Sequence, residues 1–64
     1  MTLYESNLKR IDAAFPSGQF VQILDLARWL GISQPTVRKL LGNPAPRVGY
    51  LKTYIAEKLT EMNS

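Results

Sequence analysis

Five cationic side chains, Arg28, Arg38, Lys39, Arg47 and Lys52, share the stretch from residue 26 to residue 56, which contains no Asp or Glu. The acids Glu5, Asp12, Asp25, Glu57 and Glu61 all lie outside it. A run of uncompensated positive charge suits a polyanion. Other chemistries are poorly supplied. The 64-residue chain has no His and no Cys. It therefore offers no side chain with an unperturbed pKa near neutrality, no Ser-His or Cys-His pair and no standard zinc framework. Five scattered acids do not make a calcium loop. These residue types argue against an enzyme and against a resident metal or cofactor.

The net charge of +3 and the pI of about 9.6 point the same way as the basic stretch. Hydrophobic residues make up 45% of the chain and charged residues 20%, ordinary usage for a folded domain. The length allows one domain, residues 1–64. A chain this short buries only ~60% of its unfolded surface. Without disulfides or metal, it needs tight helix packing or a partner chain. No apolar run approaches the ~18 residues of a membrane span. The first five residues lack the basic start and apolar stretch of a signal peptide. A cytoplasmic protein is the expectation.

The elements that must carry the basic residues follow from two breaks, Phe15-Pro16-Ser17-Gly18 and Gly42-Asn43-Pro44-Ala45-Pro46. Thr2 and Glu5 match a capping box, and Tyr4, Leu8, Ile11 and Phe15 then form one helical stripe. Phe20 to Ile23 suits a short extended piece or the approach to a helix. Leu24 to Leu30 reads as a helix ended by Gly31. Ser33 is a good N-cap for the next helix, with Pro35 in its first turn and Val37, Leu40 and Leu41 as its apolar stripe. Leu51, Ile55, Leu59 and Met62 give a last helix, Tyr50 to Met62, its apolar face. Tyr50 and Tyr54 flank that face, at the core edge or on a dimer surface. No segment reads as a confident strand. The fold class expected is all-α, with four helices.

Residues 23–41 thus place two short helices around a three-residue turn. Ala27 is small where the helices cross, Gly31 makes the turn, and Leu26, Leu30 and Ile32 point inward. This stretch resembles the helix-turn-helix of repressors of the lambda Cro and Lac repressor type. The resemblance to the Lac repressor headpiece extends over roughly residues 22–63, because Gly42 to Arg47 leads into a further helix. Two features depart from that family: the N-terminal helix is additional, and the hinge segment and sugar-binding domain are absent, so no small-molecule ligand is expected.

By that resemblance the helix from Ser33 to Leu41 lies in the major groove of double-stranded DNA. Base contacts then fall to Gln34, Pro35, Arg38 and Lys39. Gln pairs with adenine, and Arg or Lys with guanine. Ser33, Thr36, Arg28, Arg47 and Lys52 suit phosphates. The function implied is a sequence-specific transcriptional regulator, a repressor of a palindromic operator, whose size suits a phage or plasmid. One unit covers about half an operator, so a homodimer through the first or last helix is expected. Two alternatives stay open. An excisionase-like or architectural recombination factor would use a wing between Pro44 and Tyr50. A protein-interaction module would not need Arg38 or Lys39.

Overall fold

The computed structural model describes residues 2–63. It is mostly helical, with four helices and a two-stranded antiparallel ribbon. The order is α1 (Leu3–Ala14), β1 (Phe20–Val21), α2 (Ile23–Leu30), α3 (Gln34–Leu41), β2 (Tyr50–Leu51) and α4 (Lys52–Met62).

Helix α1 starts where the capping box predicts. The Glu5 amide donates to Thr2 Oγ1 at 3.1 Å, and the Thr2 amide donates back to Glu5 Oε1 at 3.3 Å. Pro16 prevents continuation past the C-cap Phe15. Helices α1 and α4 pack antiparallel. Asn7 Nδ2 donates to Thr60 Oγ1 at 3.2 Å near one end, and Lys52 Nζ meets Asp12 Oδ1 at 3.3 Å near the other. Asn7 is a buried polar residue on the α1 stripe, and the Thr60 hydroxyl passes the chain of bonds on to the Ala56 carbonyl at 2.7 Å. That relay satisfies the amide donor inside the helix pair.

The core gathers Ile11, Val21, Leu26, Ala27, Val37, Leu41, Tyr50, Ile55 and Ala56 from every element. Ala27 and Ala56 are the small residues that let helices approach closely. Tyr4, Leu8, Phe15, Leu30, Ile32 and Leu59 pack on it half-buried. Four apolar residues expected inside are exposed instead: Leu3, Leu40, Leu51 and Met62. Leu3 opens α1 and Met62 closes α4, so each has neighbours on one side of the helix end only. Leu40 falls off the side of α3 that carries Val37 and Leu41. Leu51 is in a strand, where successive side chains alternate faces and Tyr50 takes the inner one.

The sequence reading allows Phe20 to Ile23 as a short extended piece but leaves out its partner, assigning Tyr50 and Leu51 to the last helix. Phe20 pairs with Leu51 and Val21 with Tyr50, and the Lys52 amide extends the ladder to the Gln19 carbonyl at 2.9 Å. Aromatic and β-branched residues favour this pleated pairing. The last helix consequently begins at Lys52, after Tyr50 and Leu51. Gly49 allows the closure: a β-carbon there would overlap the Val21 carbonyl oxygen. Between α3 and β2, a second, tighter hairpin is closed by an Ala45–Gly49 bridge. None of the four helices is long and apolar enough to cross a membrane.

Candidate nucleic-acid interface

Helices α2 and α3 are joined by Gly31, Ile32 and Ser33. Gly31 takes the left-handed conformation at φ 73°, and its amide and that of Ile32 both reach the Ala27 carbonyl, at 2.9 and 3.0 Å. This closes α2 within a single residue and lets α3 start at once. Ser33 caps α3, its Oγ accepting from the Thr36 amide at 3.4 Å and sharing a 2.8 Å hydrogen bond with Thr36 Oγ1. Pro35 sits in the first turn, where its missing amide hydrogen costs nothing.

Helix α3 has two unlike sides. Val37 and Leu41 are buried, and Gln34 lies on the same i, i+3, i+7 row, half-buried. Pro35, Thr36, Arg38 and Lys39 are exposed. Among the four candidate base-contacting residues, Gln34 therefore sits closest to the core, and Pro35 and Lys39 point most directly away from it. Ser33, Arg28 and Arg47 are exposed as well.

Lys52 is the exception among the phosphate candidates. Its side chain is 7% exposed and its ammonium is held by Asp12. The ribbon pairing sets this, because it places residue 52 at the first turn of α4 with its stem against α1. The charge is neutralised within the fold, so Lys52 leaves the set of available phosphate ligands. Of the phosphate candidates, Ser33, Thr36, Arg28 and Arg47 remain exposed.

Two tyrosines, which spacing alone leaves between core edge and dimer surface, take structural positions. Tyr54 Oη donates to the Leu41 carbonyl at 2.6 Å, and Tyr50 Oη donates to the Gly42 carbonyl at 2.5 Å. They engage the carbonyl end of α3. Burial pushes the Tyr50 phenol pKa up; the Arg38 charge acts in the opposite direction, and Tyr54 adds to the rise. Trp29 packs against the end of α1, its ring edge-on to Phe15 at 5.7 Å, with the Arg10 guanidinium 5.9 Å from its centroid. The contribution that sequence reasoning misses is Gln22. It precedes α2, and its Nε2 donates to the Arg47 carbonyl at 2.9 Å. A side-chain amide at that position carries no local signal, since the partner lies 25 residues away.

Comparison with protein-family models, curated proteins and solved structures gives no match. Among the described residues no cluster of three or more acidic side chains could hold a metal ion.

Proposed function

We propose that this protein is a sequence-specific double-stranded DNA-binding regulator, not an enzyme, in which α2 and α3 act as a helix-turn-helix and α3 enters the major groove. The observation that carries this reading is the division of α3. Val37 and Leu41 hold it in the core, while Pro35, Thr36, Arg38 and Lys39 stand exposed in a stretch free of acids. A helix so mounted fits the major groove, which is ~12 Å wide. Arg38 and Lys39 supply guanine-directed donors, Pro35 an apolar contact to a thymine methyl, and Thr36, Ser33, Arg28 and Arg47 reach phosphates. A repressor needs nothing further, because occupying a promoter suffices. It acts as a homodimer on two half-sites one helical turn apart.

The test is selection of bound sites from random duplex, run with the wild-type chain and with Arg38→Ala. The expected result is a defined site and, in the variant, relaxed preference for guanine at one position in each half. Each phosphate contact contributes ~0.9 to the log–log salt slope. No retention of any duplex at low ionic strength removes the proposal. A complex containing one protein chain on a half-length site removes the dimer.

The hairpin at Ala45–Gly49 favours a second reading, an architectural or recombination factor. That reading requires strong bending of the bound duplex, measured by circular-permutation mobility. An unbent complex discards it.

A further inference from the structure

Arg47 adopts φ 70°, the positive-φ region, and is alone among non-glycine residues described in doing so. It sits at the tip of the tight hairpin between α3 and β2. The Ala45 amide donates to the Gly49 carbonyl and the Gly49 amide donates to the Ala45 carbonyl, both at 3.0 Å. The Val48 amide donates to the Ala45 carbonyl at 3.3 Å, with Pro46 and Arg47 at the corner. A turn with Pro first and positive φ second ordinarily takes Gly or Asn at the second position. A side chain with a β-carbon is disfavoured there.

The surroundings hold this conformation firmly. Gln22 Nε2 donates to the Arg47 carbonyl at 2.9 Å, tying the tip to the start of α2. Gly49 lies against the Val21 carbonyl, which fixes the base. The side chain itself is exposed and forms no ion pair among the described residues. Backbone strain of this kind concentrates at functional sites, and here it sits under an exposed guanidinium.

We propose that Arg47 inserts into the DNA minor groove beside the segment read by α3 and selects A·T pairs there. This rests on the DNA reading of α3. A phosphate contact would need only a cation on a flexible stem, available from any exposed backbone. A slot ~6 Å wide needs a slim support, and here Ala45, Pro46 and Gly49 surround the tip. Arg47 follows the end of α3 at Gly42 by five residues, so it lies within ~17 Å of it even at full extension. That limit keeps the tip close enough to α3 for both to meet one stretch of duplex. Narrow A·T-rich minor grooves carry enhanced negative potential that attracts Arg, and a guanine there adds an obstructing 2-amino group.

The decisive variant is Arg47→Gly, because glycine accepts the backbone and removes only the guanidinium. Three duplexes carry the same α3 site, flanked by A·T, G·C or inosine·C pairs. Inosine·C presents the minor-groove pattern of A·T and the major-groove pattern of G·C. The wild-type chain is expected to bind the A·T and inosine·C duplexes about tenfold more tightly than the G·C duplex. Arg47→Gly should bind all three equally, with a melting temperature equal to or above wild type. A preference that survives in Arg47→Gly, or a uniform loss across the three duplexes, overturns the proposal while leaving α3 binding intact. Wild-type binding to none of them overturns the α3 reading and this proposal together. Loss of guanine preference in Arg38→Ala together with an intact A·T flank preference in Arg47→Gly overturns this proposal alone.

Discussion

The phenolic oxygen of Tyr54 donates to the main-chain carbonyl of Leu41 at 2.6 Å, across the gap between α4 and the last turn of α3. Tyr50 does the same one residue later, at Gly42. The two rings lie nearly parallel, 4° apart in plane with centroids at 6.4 Å. The final carbonyls of a helix have no partner within it. Two hydroxyls from β2 and α4 supply partners, so the exposed side of α3 is aimed from its far end.

Tyr54→Phe should therefore lower the unfolding free energy by about 1 kcal/mol, the usual net worth of one hydrogen bond. Urea denaturation measures it. An unchanged midpoint with an unchanged slope would show that water serves Leu41 equally well.

Tyr50 makes stability sensitive to alkali. Burial raises its pKa in the folded chain above the ordinary value near 10. The folded state thus retains a proton that the unfolded state loses first. Its contribution is fully present below the unfolded pKa and is lost as pH rises through the folded one. Stability should be flat across this group's range below about pH 10 and fall above it. Tyr50→Phe should flatten the fall. Equal alkaline sensitivity in both chains would assign the effect elsewhere.

The Lys52–Asp12 pair is asymmetric, with the ammonium buried and the carboxylate 58% exposed. Asp12→Ala strands a buried cation and should cost about 1–3 kcal/mol, toward the lower end because Asp12 is solvent-screened. Lys52→Met removes the charge along with its need for a partner and should be close to neutral in stability. Lys52→Met should also leave the salt slope of DNA binding unchanged. A lower slope would return Lys52 to the phosphate-contacting set.

Gly49 and Gly31 both hold positive φ, but only Gly49 is crowded. Gly31→Ala meets nothing within 4 Å and should cost about 1–2 kcal/mol for its left-handed backbone alone. Gly49→Ala must in addition displace the Val21 main chain, and should cost about 3 kcal/mol or more. Thermal melts of the two variants rank them. Equal costs would mean that the ribbon shifts freely.

What the sequence revealed was mostly local. Thr2 and Glu5 marked the start of α1, Gly31 the end of α2, and Ser33 with Pro35 the start of α3, because each acts on backbone groups within four residues of itself. Val37 and Leu41 were legible from periodicity, whereas Leu40 and Leu51 show where a stripe read at i+3 or i+4 drifts off the buried side. The ribbon was illegible because each strand is two residues long and the pairing joins residue 20 to residue 51. Lys52 looked like a free cation for the same reason. Its partner lies on a helix forty positions earlier, and only the ribbon register brings the two together. The exposed side of α3 needed no such long-range information.

Val21 and Tyr50 face each other across the ribbon, so the chain leaves for α2 and comes back from the hairpin at one place. Everything between them is a cassette whose two ends sit about 5 Å apart. Yet its Leu26, Ala27, Val37 and Leu41 share one core with Ile11, Ile55 and Ala56, so only the outward positions of α3 can be rewritten without disturbing the α1–α4 platform.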